Sequence, residues 1–281
     1  MAFHGLLTGE TFLFHGAGSA NLGTAALLRD ECGVPMSNIF ITNSRGVLWV
    51  GPDGKGNFRN DEQRALAMPG PLPFSYSGGL EALVDAVQPS CLIGAVGRDP
   101  GCFNHAVVKA LLKANSGDRR DVPRRPVVFA LSNPKTQAEV SAADAYAWSD
   151  AAVIYGSGTA MPAWSAPSGD LRQPGQVNNV YIFPGVSLAA ISCEATTIPE
   201  RFFLVAAQAV ANSLDDADLA ADAVVPNRAR IRAVSLNVAV AVVLEAQAQG
   251  LAANVLGDDE PAVRAALVAR MWSPPAGLSR L

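Results

Sequence analysis

The chain has 281 residues, 49% of them hydrophobic, enough to bury a substantial core as one large domain or two smaller ones. Its 21 basic and 25 acidic residues leave a net charge of −4, which argues against a nucleic acid or an anionic membrane as partner. Cys32, Cys91, Cys102 and Cys193 form no C-x-x-C pair and do not cluster in sequence with His4, His15 and His105, which excludes an obvious zinc or iron–sulfur motif and suits reduced thiols inside a cell.

Residues 1–10 read as an N-terminal tail, without a basic segment followed by an apolar core and without an Arg- and Ser-rich presequence. No apolar run reaches the length of a bilayer span, so no membrane partner is expected. The expected location is intracellular, with cytoplasm, mitochondrion and plastid left open.

Thr11 to His15 is mostly bulky and apolar, as in a short buried strand, and an Ala- and Leu-rich helical run starts near Leu22. Between them lies Gly16-Ala17-Gly18-Ser19-Ala20-Asn21, with the first two glycines of G-x-G-x-x-G/A and Asn21 in the sixth place. Such a turn lets backbone N–H groups approach a pyrophosphate at the positive end of a helix. An ordinary tight turn in an α/β protein fits these residues equally well.

Asn38 to Thr42 reads as a second strand ending at Asn43, about where a dinucleotide fold places an acidic residue on the adenosine ribose. Asn43 brings hydrogen bonds without charge, which leaves NAD and NADP both open. Val47 to Asn60 reads as a hairpin or loop excursion, and Met68 to Pro73, with three prolines, cannot be helix interior. Leu80 to Val87 suits a short helix, Cys91 to Val96 a buried strand ending at Gly97, and Asn104 to Ala114 another helix.

Asp118 to Arg125 is charged and broken by proline, a solvated loop rather than a phosphate site. Pro126 to Leu131 is a strand running into Ser132-Asn133-Pro134, Ser141 opens a short helix, and Ala151 to Tyr155 is a further strand before Gly156-Ser157-Gly158. Alternation of apolar strands and helices implies an α/β fold of Rossmann type, a doubly wound and mostly parallel sheet with ligands at the strands' carboxyl ends.

A long loop is expected over 159–176, followed by Asn178-Asn179 and an apolar helix to about Cys193. C-terminal helices fill 197–272: one from a capping box at Thr197 to Glu200, a longer one over Arg228 to Gln249, and one over Pro261 to Met271. With no repeat and no low-complexity linker, residues 1–281 read as a single domain with a C-terminal helical layer.

Several blocks together resemble the NAD(P)-binding domain of malic enzymes, which oxidatively decarboxylate malate to pyruvate. They are Phe12 to Gly18, Ile39 to Leu48, Phe129 to Pro134, and above all Gln176-Val177-Asn178-Asn179-Val180-Tyr181-Ile182-Phe183-Pro184-Gly185. The resemblance runs from about Thr8 to about Trp272. It implies NAD or NADP as cofactor, held by Gly16, Ala17, Gly18, Ser19, Ala20, Asn43, Gly97, Ser132 and Asn133. It further implies malate or pyruvate at Asn133, Asn178 and Asn179, and a homo-oligomer in the family. On the residues alone, Asn133 reads as an Asn-Pro turn and Asn178-Asn179 as a loop-to-helix cap.

The chain departs from the family pattern at Ser19 and Asn43, where an acid is usual, at Asn21 in place of Ala, and at Val177 in place of Gly. A β-branched Val177 would resist the positive φ open to glycine. The family's Tyr and Lys for acid-base work, its substrate arginine and its acidic ligands for Mg or Mn all lie upstream of the glycine turn. No catalytic or metal-ligating residue is therefore assigned here. His15 reads as a packed histidine, and Lys135, after Asn133-Pro134, is within reach of the cleft but is not assigned as a base. The leading expectation is the cofactor half of a malic enzyme, a truncated gene product or a partial gene sequence, incompetent alone. The alternatives are a non-catalytic dinucleotide or interaction module that pairs with an intact malic enzyme, and a decayed relative that binds nothing.

Overall fold

The computed structural model describes residues 7–117 and 124–273. The expected tail therefore lies outside it up to residue 6, and the expected charged loop over residues 118–123. A 3-10 turn at Leu7–Gly9 leads into β1 (Phe12–His15), and α1 (Ser19–Asp30) follows directly. Next come β2 (Ile39–Asn43), β3 (Gly46–Val47), β4 (Trp49–Val50), α2 (Asp61–Ala65), β5 (Met68–Pro69), α3 (Leu80–Val87), β6 (Cys91–Gly94), α4 (His105–Ala114) and β7 (Val127–Ala130). α5 (Ala142–Ser149), β8 (Ile154–Ser157), β9 (Trp164–Ser165), β10 (Leu171–Arg172) and β11 (Gly175–Gln176) complete the strand region. The remaining helices are α6 (Phe183–Ser192), α7 (Glu200–Ala211), α8 (Asp216–Ala220), α9 (Ile231–Ala248) and α10 (Glu260–Arg270).

Seven strands form one sheet in the order β11-β8-β7-β6-β1-β2-β3, parallel throughout except for the β2–β3 pair. This is the Rossmann-type α/β architecture that the apolar strands imply. Side chains alternate across the sheet, so Leu13, Phe40, Leu92 and Val128 join a core with residues of α3, α4 and α5, while Phe12, Phe14, Ile39, Ile41 and Ile93 join one with Leu22 and Ala25 of α1. Both faces are thereby covered, which is why the strands are apolar without alternation.

Two local expectations shift. The strand after α5 begins at Ile154 rather than Ala151 and takes in Gly156 and Ser157. A Cβ on Gly156 would stand 2.7 Å from Val177 Cγ2 and 3.0 Å from the Phe129 ring, so glycine here serves a close approach inside the sheet rather than a turn. The expected loop 159–176 carries three short strands, β9 and β10 paired antiparallel and β11 added to the edge of β8.

Within the single domain expected from the sequence, the backbone contacts fall into two groups. They define two compact units, the first running to Asn178 and regaining Asp216–Val224, the second comprising Asn179–Asp215 and the residues from Val225 on. The returning segment is fastened inside the first unit: Gln173 N–H donates to the Ala221 carbonyl at 2.8 Å, and Arg125 Nη1 to Asp222 Oδ1 at 2.8 Å. Arg124 pairs with the buried Glu10, so this end of the charged segment is bonded rather than merely solvated.

In the second unit α9 is the central helix. Its Val234, Val238, Val242 and Val243 are buried with Phe202 and Ala206 of α7, Val186 and Ala189 of α6, and Val263 and Leu267 of α10. Gly185 permits the closest approach: a Cβ there would lie 2.5 Å from Val238 Cγ1 and 2.7 Å from the Ser235 carbonyl oxygen. The run Arg228–Ala248 has 21 residues and mean hydropathy 1.5, long and apolar enough to cross a membrane by length and composition, against the expectation that no run would be. Its packing among three helices accounts for that apolarity. The expected capping box at Thr197 does not form; Pro199 occupies the N-cap of α7 without a side-chain cap.

Candidate nucleotide-binding site

Gly16 takes φ +104°, and a Cβ there would stand 2.8 Å from the Ala95 carbonyl oxygen. Glycine is required at this point for both reasons. α1 begins three residues later with Gly18 at its N-cap and no side-chain cap, while Gly18, Ser19 and Ala20 are exposed. The first intrahelical bond is Leu22 N–H to Gly18 O, leaving the amides before it directed out of the helix end. The helix end so formed suits an anion.

The turn is held from below by side chains. Asn21, 1% exposed, donates Nδ2 to the carbonyls of His15 and Gly16 at 3.1 and 2.8 Å, so the departure from the family's alanine braces the turn instead of facing a ligand. Thr42 Oγ1 accepts from Gly16 N–H at 3.3 Å. Gln63 of α2, also buried, donates Nε2 to the Ala17 carbonyl at 3.1 Å and accepts at Oε1 from Asn43 Nδ2 and from Arg59 N–H.

Asn43 ends β2 beside the glycine turn, as its spacing suggests, but its amide is engaged. Nδ2 donates to the Asn57 carbonyl at 2.7 Å, and Oδ1 accepts from Arg45 N–H at 2.8 Å. The groups left facing outward are Ser44, Arg45 and Arg59, all exposed, with the Arg59 guanidinium donating to Ser44 Oγ.

Gly97 and Ser132 follow the neighbouring strands β6 and β7, and one side chain ties them together. Glu139 is fully buried and accepts from Val96 N–H at Oε1 and Ser132 N–H at Oε2, each at 3.2 Å, and from Ser132 Oγ. Ser132 Oγ in turn accepts from Gly97 N–H at 2.8 Å. Asn133 is exposed and donates Nδ2 to the Leu131 carbonyl at 3.2 Å. A Cβ on Gly158 would meet that carbonyl at 2.3 Å, so the glycine lets the two loops lie against each other.

Since β1, β6 and β7 are successive neighbours, the Gly16 and Asn133 loops stand two strand spacings apart, about 10 Å. Asn178 follows β11 at the same end of the sheet and is half-buried, while Asn179 opens the second unit. Val177 keeps a negative φ and extends the sheet by donating its N–H to the Ser157 carbonyl at 2.8 Å, so the strain anticipated from its branching does not arise.

Proton-transfer groups are placed differently. All four tyrosines are described, and three of their hydroxyls are buried or donate to the backbone. Tyr76 accepts from Val47 N–H, Tyr155 donates to the Val140 carbonyl and Tyr181 to the Pro226 carbonyl. Tyr146 is fully buried, and burial pushes the hydroxyls of Tyr146 and Tyr155 well above the ordinary phenol range. Burial also lowers the pKa of His15, outweighing the carboxylates of Asp99 and Glu139, which raise it.

Gln63, Asn21 and Glu139 were outside the reach of sequence pattern. Only the departure at Asn21 gave any signal.

The malic enzyme NAD-binding domain family matches residues 2–247. The NADP-dependent malic enzyme of Sus scrofa is 32% identical over 249 residues, covering 85% of this chain and 41% of the relative. NADP-dependent malic enzyme 2 of Arabidopsis thaliana is 33% identical over 256 residues, covering 89% and 41%. Among solved structures, the malic enzyme of Pyrococcus horikoshii superposes with TM-score 0.65 at 19% identity, over 94% of this chain and 53% of that one. The chain thus spans about two fifths of the length of the curated relatives it matches.

Proposed function

Because the chain belongs to the malic enzyme family through its NAD-binding domain, we propose that it is the part of a malate-decarboxylating oxidoreductase that holds the nucleotide, with NADP as the preferred cofactor. The observation that carries this reading is the Gly16–Ala20 turn, whose backbone conformation and uncapped helix end fit a pyrophosphate on this chain's own geometry. The bound cofactor would accept hydride from C2 of malate. Gly97, Ser132 and Asn133 would line its nicotinamide half, and Asn133 with Asn178 would offer neutral hydrogen bonds to a dicarboxylate.

The preference for NADP rests on the end of β2. A ribose 2′-hydroxyl is usually taken by a carboxylate there, whereas a 2′-phosphate needs cations and hydroxyls. Here the outward-facing groups are Ser44, Arg45 and Arg59, and the amide at position 43 is occupied. A charge-assisted bond to phosphate contributes about 1.5–3 kcal/mol, a tenfold or larger change in Kd. Titration of the chain and of Arg59→Ala with each nucleotide tests the assignment. NADP should bind more tightly than NAD, and the substitution should erase most of the difference; equal affinities in the unaltered chain would refute it.

Turnover is a separate matter. Tyr146 and Tyr155 are buried and Tyr181 donates its hydroxyl to the Pro226 carbonyl, while the half-buried Tyr76 accepts from Val47 N–H and lines a small cleft with His15 and Asn43. We propose that the acid-base and divalent-metal groups come from polypeptide other than these residues, so that the chain alone binds nucleotide without decarboxylating malate.

A further inference from the structure

The fold brings together three ligand types that are far apart in sequence. A ring nitrogen of His15, a carboxylate oxygen of Asp99 and the sulfur of Cys102 all lie within 4.8 Å of one another. His15 ends β1, and the other two lie on the turn between β6 and α4. We infer that His15, Asp99 and Cys102 form a site for a borderline divalent cation of the zinc type, distinct in donor set from the hard, oxygen-liganded ion of malic enzymes.

The histidine is set up for the role. Thr42 Oγ1 lies 3.1 Å from His15 Nδ1 and 3.4 Å from the Phe14 carbonyl, to which it can only donate. With Nδ1–H donating to the Thr42 oxygen, the lone pair on Nε2 is left for a metal. Metal-bound imidazoles are commonly fixed in this way through their other nitrogen. The Phe103 ring, 6.1 Å from the imidazole centroid, packs against it.

Charge and mobility agree. The nearby Glu139 carboxylate is fully buried, and among the described residues neither it nor Asp99 has a lysine or arginine ion-pair partner. A cation would offset that negative field. Ligands at about 2.0–2.3 Å from a tetrahedral zinc lie roughly 3.3–3.8 Å apart, so atoms within 4.8 Å of one another need to draw in by at most about 1.5 Å. Cys102 is anchored through Phe103 N–H to the Glu139 carbonyl at 2.9 Å, and Gly97 and Gly101 are bonded to Ser132 Oγ and the Ala138 carbonyl, whereas Asp99 between them is exposed. The movement would fall on Asp99. A fourth position opens toward a cleft of about 480 Å³ that these three residues help to line. Bound metal would tie the exposed turn to the end of β1, one residue before Gly16.

The test is calorimetric titration of the reduced, chelator-treated chain with zinc, paired with cobalt(II) spectroscopy for the thiolate-to-metal charge-transfer band. One equivalent of zinc should bind, magnesium should not displace it, and cobalt should give the band. Cys102→Ser should remove the band and weaken zinc at least tenfold. Asp99→Asn, on the exposed turn, should weaken zinc without altering the circular dichroism spectrum, and covers the case in which the cysteine variant fails to fold. Cys32→Ser should leave both readouts unchanged. No zinc uptake, uptake indifferent to Asp99→Asn, or a band lost with Cys32 instead of Cys102 would overturn the assignment.

Discussion

Gly16 and Glu139 support the proposed nucleotide site in different ways. Replacing Gly16 by alanine places a methyl group 2.8 Å from the Ala95 oxygen in a backbone region that side chains avoid. The expected cost is about 1–3 kcal/mol of stability, and nucleotide affinity should fall by at least tenfold. Thermal denaturation beside nucleotide titration reads both; an unchanged affinity would show that the turn does not meet the ligand. Glu139→Gln would keep the size of the side chain and replace one acceptor oxygen by a donor facing N–H groups. Loss of this charge-assisted bonding should cost about 1–3 kcal/mol and loosen the loops at Gly97 and Ser132. Faster amide exchange at Val96, Gly97 and Ser132 would report it, and unchanged protection would remove Glu139 from the role.

Residue type at short range made part of this legible. Gly16 could be read because a glycine between an apolar strand and an Ala-rich helix has few other uses. Glu139 could not: within Thr136-Gln137-Ala138-Glu139-Val140 it looks like a surface acid, and its partners lie at Val96 and Ser132. Likewise the placement of Gln63 against Ala17 depends on a return of the chain across 46 residues. Polar networks of this kind are set by tertiary contact, on which periodicity is silent.

At the scale of elements, parallel strands with short carboxyl-end turns were the most readable part, since continuous apolar runs bounded by Gly, Asn and Pro admit few alternatives. The block from Gln176 to Gly185 shows the limit of motif reading. Its Val177 continues the sheet, and its Gly185 is demanded by the contact of α6 with α9, so at least these two positions answer to packing. Gly185→Val should destabilise the second unit by more than about 2 kcal/mol, because backbone and Val238 both stand in the way. Urea unfolding of the variant should show a lower midpoint. A wild-type midpoint would mean that the two helices separate at little cost.

For the whole molecule, the division into two units escaped sequence reading because a segment as short as Asp216–Val224 returns to the first unit without any linker composition. Family membership explains why a chain matching about two fifths of its curated relatives can still carry a complete sheet with its strand-end loops. The division of labour proposed above predicts a protein that recognises the electron carrier and performs no chemistry unaided. The direct check is to titrate the isolated chain with NADP, then supply malate and manganese to the same sample and assay pyruvate. Saturable one-site NADP binding with no pyruvate formed is the predicted result. Failure to bind NADP at millimolar concentration, or steady pyruvate production by the chain alone, would contradict it.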